Sequence, residues 1–148
     1  MTQPRLAVRA VIVRDGALLL VNAYPGGQSD LWCAPGGGVE AGASLADNLV
    51  REVREETGLT VRPGGLVHAG EFHDPASGFH QVELFFAAQV VEGKLDRGWR
   101  DPEGIVTARR FFAPGALAGV RYKPDVLARL AFDSPAGLSP GPLETKAP

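Results

Sequence analysis

The chain has a single cysteine, no long hydrophobic run and little net charge, and each of these absences excludes a class of protein. Cys33 alone cannot build a disulfide framework, so we expect a cytoplasmic location and an apolar packing role for this side chain. No stretch approaches the ~20 apolar residues of a membrane-spanning helix, and the start MTQPRLAVRA lacks a signal-peptide core. The net charge of -2 lacks the basic surplus typical of nucleic-acid-binding surfaces. We therefore expect neither a membrane nor a nucleic acid polymer as partner.

The composition that remains is that of an ordinary globular protein. Hydrophobic residues make up 45% and charged residues 22% of the 148 positions, enough for one substantial core. We predict a single domain over residues 1–132. Residues 133–148 are rich in proline, glycine and serine, which favours a flexible C-terminal tail.

The most informative segment is an acidic helix with clear end signals. Ser44 suits the N-cap, and Gly58 suits a left-handed C-terminal cap. Glu52, Glu55 and Glu56 stand at i, i+3 and i+4, so a helix places them on one face. Like charges at this spacing cost an isolated helix about 0.2–0.5 kcal/mol per pair. A hard divalent cation, which prefers oxygen ligands, would offset that repulsion.

A glycine-rich loop runs into this helix. Gly36, Gly37 and Gly38 offer backbone N–H groups that can lie against phosphate oxygens. Carboxylates beside such a phosphate cradle suggest metal-assisted cleavage of a phosphate ester or anhydride. The alternative is a solvated acidic face that has Arg51 and Arg54 as local partners.

These residues resemble the signature of the Nudix hydrolase (MutT-like) family, written G-x5-E-x7-R-E-U-x-E-E-x-G-U with U aliphatic. Gly37 supplies the first glycine, and residues 51–59 match the second half of the signature without a gap. Pro35-Gly36 also follows the usual run-in. One position departs, because the first glutamate of the signature falls at Ala43.

The resemblance implies a hydrolase that cleaves the diphosphate linkage of a nucleoside diphosphate joined to another group, X. Mg²⁺ or Mn²⁺ would be held by the three helix glutamates, and the glycine loop would orient the diphosphate. The general base varies in the family between a glutamate of the signature and one on a later loop, which makes Glu103 and Glu52 the candidates. The expected catalytic set is therefore one arginine and four glutamates: Arg51, Glu52, Glu55, Glu56 and Glu103.

Alanine at position 43 is expected to affect how the loop before the helix is held in place. In the family the first glutamate is mainly structural and pairs with the arginine of the signature. Arg51 then needs another carboxylate, and Glu40 and Asp47 are the candidates. Asn48, one turn before the metal-binding face, is expected to offer a neutral oxygen near the metal. A nucleotide-binding module with weak or lost hydrolysis is the alternative function.

The hydrophobic pattern predicts alternating strands and helices, with a long glycine-rich loop over residues 24–43. Expected strands cover residues 6–13, 17–22, 59–62, 66–73, 79–91 and 106–112, and expected helices follow Ser44 and span residues 124–131. The resemblance implies an α+β fold (an α/β/α sandwich) in which a mixed β-sheet lies between the signature helix and a C-terminal helix.

The substrate is left open between a nucleoside triphosphate and ADP-ribose or another sugar nucleotide. Some ADP-ribose-cleaving relatives carry a proline about sixteen residues after the signature, where this chain has Pro75, but Asp74-Pro75 also suits an ordinary turn. Glu71 and Glu83 lie in strands and can face either the site or solvent. The sequence is also compatible with a homodimer. Five side chains can stack on a base, although packing is their commoner role: Trp32, Phe72, His73, Phe79 and Tyr122.

Overall fold

The computed structural model describes residues 3–24 and 28–133. It contains eight strands and three helices within these ranges. In chain order they are β1 (Arg5–Arg14), β2 (Ala17–Asn22), β3 (Trp32–Cys33), β4 (Gly36–Gly38), α1 (Leu45–Thr57), β5 (Thr60–Asp74), β6 (Phe79–Glu92), β7 (Ala108–Phe112), α2 (Pro114–Leu117), β8 (Tyr122–Lys123) and α3 (Leu127–Phe132). No helix in this part of the chain is long and apolar enough to cross a membrane.

The strands form one mixed sheet in the order β5-β6-β1-β2-β3-β8, with β4 added to β1 and β7 added to β2. β1 is parallel to β6 and β3 is parallel to β8, whereas the other pairs are antiparallel. Asp15 and Gly16, both at positive φ, make the tight turn between β1 and β2. The mixed sheet expected from the resemblance is confirmed.

Each face of the sheet carries its own hydrophobic core. Because side chains alternate along a strand, Val8 and Ile12 of β1 pack with Leu49 and Val53 of α1, while Val11 belongs to the opposite cluster with α3. Burying a Leu or Val side chain contributes roughly 1.5–3 kcal/mol, so this stripe fixes α1 on the sheet. The expected α/β/α sandwich is confirmed, with α1 on one side and α3 on the other.

α1 begins and ends where its cap residues predict. The Ser44 side chain accepts a hydrogen bond from the Asp47 N–H, and Gly58 adopts φ 77° after the last turn. A Cβ at position 58 would lie 2.8 Å from the Trp99 ring, so the glycine is required both by its φ and by this contact. The caps therefore set where the helix that carries the three glutamates begins and ends.

Several expected boundaries are wrong. The loop over residues 24–43 contains β3, in which Cys33 pairs with Val21 of β2, and β4, whose glycine backbones pair with β1. The strands expected over residues 59–62 and 66–73 form one strand, β5, which begins at Thr60, since register shifts absorb the Pro-Gly-Gly interruption. The strand expected over 106–112 starts at Ala108, because the N–H of Val106 bonds to Asp101.

The C-terminal region also differs from the expectation. The helix expected over residues 124–131 is α3, Leu127–Phe132, and it is preceded by α2 and β8, which the pattern does not predict. Pro124 accepts the first hydrogen bond of the helix, from the Leu127 N–H, instead of lying inside it. The expected tail lies outside the described residues except for Asp133. The domain boundary at residue 132 stays a prediction.

Candidate active site

A cavity of about 430 Å³ opens where the glycine strand β4 meets α1. The β4 backbone lines its floor, and acidic side chains from α1 and from the loop after β6 surround it together with two arginines of β1. Its charged lining residues are Arg5, Arg9, Glu40, Glu52, Glu56, Asp101 and Glu103. The structure therefore brings the glycine loop together with three of the expected catalytic glutamates.

Glu56 is the most deeply placed of these carboxyl groups. It is 7% exposed, and its Oε1 accepts a hydrogen bond of 2.7 Å from the Gly36 N–H. Burial raises the pKa of Glu56 to about 8, although the Gly36 N–H and the positive charge of Arg9 favour the ionised form. A bound cation would lower that pKa and make the carboxylate available as a ligand.

Glu52 lies against the glycine strand one helical turn earlier. A Cβ at Gly37 would sit 2.5 Å from the Glu52 Oε2, so only glycine lets the backbone approach this carboxylate. Burial raises the pKa of Glu52, and a hydrogen bond of 2.9 Å from Arg51 Nη1 offsets part of this effect. Glu52 and Glu56 thus share the β4 backbone as a common support.

Arg51 lies among three carboxylates at the rim of the site. Its Nη1 is 2.9 Å from Glu52 and 3.7 Å from both Glu40 and Glu55. Glu40, one of the two expected substitute partners, is confirmed, whereas Asp47 is not within 4 Å of Arg51. Neither Arg51 nor Glu55 is among the residues that line the cavity, so these two catalytic assignments stay predictions.

Asn48 holds the loop between β4 and α1. It is fully buried, and its Oδ1 accepts hydrogen bonds from the Glu40 N–H and from Arg51. Its Nδ2 donates to the carbonyl oxygens of Glu40, Ala43 and Ser44. The expectation that Asn48 offers an oxygen to a metal is wrong, because the loop and Arg51 already occupy that oxygen.

Glu103 reaches the cavity on a loop that Asp101 holds in place. The Asp101 carboxylate accepts hydrogen bonds from the backbone N–H groups of Glu103, Ile105 and Val106, at 3.0, 3.1 and 2.9 Å. Because three donors occupy Asp101, this residue is a poor general base. Glu103 itself is exposed. Its negative charge lies close enough to Glu52 to raise the pKa of the Glu52 carboxyl group, in addition to the larger effect of burial. The structure therefore places the expected alternative base beside the helix glutamates.

Two residues that the sequence pattern does not reveal tie this loop to α1. Trp99 Nε1 donates a hydrogen bond of 2.8 Å to the Glu55 carbonyl oxygen, and Arg54 stacks over the Trp99 ring. Arg109 of β7 donates to the carbonyl oxygens of Glu56 and Trp99, and to that of Val106 in the loop. Such side-chain caps of backbone carbonyls are tertiary contacts without a sequence signature.

The β1 arginines were also missed, because alternation along a strand does not distinguish a site residue from a surface charge. Arg9 pairs with Glu83 at 2.9 Å and donates to the carbonyl oxygens of Ala34 and Gly36. Glu83 is therefore half-buried against Arg9 below the glycine loop. Glu71, by contrast, is 71% exposed and faces His80 at 3.2 Å.

The side chains considered for base stacking lie in other settings. Trp32 packs edge-on against Phe112, and Tyr122 packs on the core beside α3. Phe72 and Phe79 contact each other on the β5–β6 hairpin, as do His73 and His80. Asp74 caps the turn that contains Pro75 by accepting hydrogen bonds from Ala76 and Ser77. The structure thus gives Pro75 an ordinary turn position.

The donor set fits a hard divalent cation. Within residues 3–24 and 28–133, no three acidic, histidine or cysteine side chains already converge on one point. Instead, oxygens of Glu52 and Glu56 bond to Arg51 and to the Gly36 N–H. Both carboxyl groups are buried with raised pKa values, so their ionised forms lack sufficient compensating charge. An oxygen-only donor set of this kind favours a hard divalent cation over a soft metal.

Both the sequence and the fold of this chain are similar to those of known proteins. The model of the NUDIX domain family matches residues 3–130. The crystal structure of a MutT NUDIX hydrolase from Burkholderia pseudomallei superposes with a TM-score of 0.72 at 27% sequence identity, covering 86% of this chain and 96% of that one.

Two curated relatives also match part of this chain. YjhB of Bacillus subtilis (strain 168) is 32% identical over 98 residues, and an ADP-ribose pyrophosphatase of Methanocaldococcus jannaschii is 32% identical over 97 residues. Each match covers 64% of this chain, but only 46% and 56% of the relative, respectively. The chain thus spans about half the length of the curated relatives it matches.

Proposed function

The chain belongs to the NUDIX domain family, and from this premise we propose that it is a metal-dependent hydrolase of the diphosphate linkage in a nucleoside diphosphate joined to a second group. The observation that carries the proposal is the contact between the Glu56 carboxylate and the Gly36 N–H. This hydrogen bond fixes an acidic helix face against the backbone of a glycine strand. The cavity beside it therefore has carboxylates that can hold a cation next to the backbone of the glycine strand.

In this proposal, Glu52, Glu55 and Glu56 hold Mg²⁺ or Mn²⁺. The bound ion supplies charge stabilisation at a phosphoryl oxygen and acidifies water. The backbone of Gly36, Gly37 and Gly38 orients the diphosphate, and the absence of a side chain at Gly37 leaves room for the Glu52 carboxylate.

Glu103 accepts the proton of the attacking water. Glu103 is a better candidate for this role than Glu52, because Glu103 is exposed in the cavity, whereas Glu52 accepts a hydrogen bond from Arg51. A general base must be within hydrogen-bond reach of the water and free to accept its proton. Asp101 keeps Glu103 in the cavity through the backbone of its loop.

ADP-ribose is the first substrate to test, because a relative that is 32% identical is an ADP-ribose pyrophosphatase. The purified protein is incubated with Mg²⁺ or Mn²⁺ and ADP-ribose, a uridine diphosphate sugar or each nucleoside triphosphate. AMP plus ribose 5-phosphate would identify an ADP-ribose hydrolase, and pyrophosphate plus a nucleoside monophosphate would identify a triphosphate hydrolase. Absence of cleavage of every diphosphate, in both metals, would contradict the proposal.

A binding module without hydrolysis remains the second candidate, since Ala43 replaces the first glutamate of the signature. The hydrogen bonds of Asn48 weigh against it, because they hold the same loop and orient Arg51. Tight binding of a nucleotide that is never cleaved would favour this module.

A further inference from the structure

Arg5 and Arg9 lie on the same face of β1, four residues apart, and both line the cavity. The two guanidinium groups have different hydrogen-bond partners. Arg9 pairs with the Glu83 carboxylate and bonds to two backbone carbonyl oxygens. Arg5 donates to the Oε1 of Gln81, which is a neutral amide. Among the described residues, no carboxylate lies within 4 Å of the Arg5 guanidinium.

The position of Arg5 is set by its neighbours. Gln81, only 4% exposed, is its strand partner on β6 and fixes one guanidinium nitrogen. A Cβ at Gly38 would lie 2.6 Å from Arg5 Nη2, so the guanidinium rests on the glycine strand. A guanidinium has five N–H donors, which leaves several for a ligand.

The glycine strand separates this cation from the acidic helix. Gly37 contacts Glu52, and the next residue, Gly38, contacts Arg5. Since side chains on a strand alternate between its faces, Glu52 and Arg5 flank β4 from opposite sides. A substrate that reaches both groups must therefore lie across the strand, with one anionic group near each.

We propose that Arg5 binds the phosphoryl group of the substrate's diphosphate that lies farther from Glu52 and Glu56. The inference rests on the proposed function for the identity of the substrate, and it adds a second phosphate contact outside the metal site. Arg5 is suited to it because planar guanidinium groups bind phosphate oxygens through paired hydrogen bonds. Among the described residues that line the cavity, Arg5 is the one cationic side chain that forms no ion pair with a carboxylate.

The test measures binding rather than hydrolysis, so that the two proposals can fail separately. Isothermal titration calorimetry with Mg²⁺ compares methylenediphosphonate, a diphosphate mimic that cannot be hydrolysed, with inorganic phosphate. The variants are Arg5→Gln and Arg5→Lys. Arg14→Gln is the matched control, because Arg14 lies at the far end of the same strand and bonds to the Gly93 carbonyl oxygen.

We expect Arg5→Gln to weaken methylenediphosphonate binding roughly tenfold, the usual loss when one charge-assisted contact is removed. Inorganic phosphate should change by less than about twofold, Arg5→Lys should retain intermediate affinity, and Arg14→Gln should bind like the wild type. Where a substrate is cleaved, Arg5→Gln should raise KM with little change in kcat, the pattern of a lost binding contact.

Unchanged affinity of Arg5→Gln for methylenediphosphonate would overturn the proposal, as would an equal loss of affinity for inorganic phosphate. Failure of the wild type to bind methylenediphosphonate would overturn it too. If the diphosphate binds through Arg5 but no nucleotide is cleaved, the hydrolase proposal fails and the role of Arg5 stands.

Discussion

The Glu56 carboxylate accepts a hydrogen bond from the backbone N–H of Gly36, 2.7 Å away and 20 residues earlier in the chain. This bond joins α1 to the glycine strand and closes the base of the cavity. It places an acidic side chain from the helix and the backbone of the glycine strand within one small volume.

Replacing Gly36 should unfold or severely destabilise the protein. Gly36 has φ 154°, and a Cβ there would lie 2.0 Å from the Val8 carbonyl oxygen, which belongs to the central strand. Because backbone cannot move aside cheaply, we expect Gly36→Ala to cost more than about 3 kcal/mol. Gly42→Ala is the control, since Gly42 has φ 88° but open space around it, and should cost only about 1–2 kcal/mol. Urea unfolding measures both; equal losses would refute the contact.

The pH dependence of stability should reveal the buried carboxyl group. The folded-state pKa of Glu56, about 8, lies above its ordinary value of 4.5. Its contribution to stability is therefore complete below pH 4.5 and is lost as the pH rises through 8. In EDTA, the wild type should lose at least about 1 kcal/mol relative to Glu56→Gln between pH 5 and pH 9. Parallel stability curves for the two proteins would contradict the burial of Glu56.

Asn48→Ala should loosen the loop that precedes α1. The substitution removes five hydrogen bonds of a fully buried amide and leaves backbone groups without partners. We expect a loss of about 2–4 kcal/mol in unfolding free energy and a lower kcat, because Arg51 loses its orientation. Ala43→Glu in the Asn48→Ala background should restore part of the activity by giving Arg51 a carboxylate. Wild-type activity in Asn48→Ala would show that the loop needs no such support.

The limits of prediction from the sequence are visible in this same loop. The helix glutamates, Ser44 and Gly58 are local signals, since caps and i, i+4 spacing act within one element. The structure agrees with them. The sequence predicts the wrong role for Asn48, because its partners, Glu40 and Ala43, lie in an irregular segment whose path no periodicity describes. The short strands β3 and β4 were missed for the same reason.

Contacts between distant elements could not be predicted at all. Arg9 meets Glu83 because β1 and β6 are parallel neighbours, and Arg109 reaches the end of α1 from β7. Both relationships depend on the topology of the sheet, which composition and periodicity do not determine. The resemblance supplied the topology, but the arginines of this cavity became visible only in the structure.

Asp101 should act on catalysis through Glu103. Its carboxylate holds three backbone N–H groups of the loop, so Asp101→Ala should release Glu103 from the cavity. We expect kcat to fall roughly 10–100-fold with a smaller change in KM. Asp96→Ala is the matched control, because Asp96 caps a neighbouring turn through the Gly98 N–H alone. A similar loss of kcat in the two variants would show that Asp101 only stabilises the loop and does not position Glu103.

The most direct measurement is the turnover of Glu56→Gln with Mg²⁺ and the best substrate of the panel, beside Glu71→Gln as control. Glutamine keeps the shape and the hydrogen-bond acceptor for Gly36, but it removes the charge that a cation needs. Glu71 is exposed on the hairpin and pairs only with His80 among the described residues. If Glu56 holds the cation, kcat should fall at least about 100-fold in Glu56→Gln with an intact fold, and Glu71→Gln should turn over normally. Near-normal turnover of Glu56→Gln would contradict this role of Glu56.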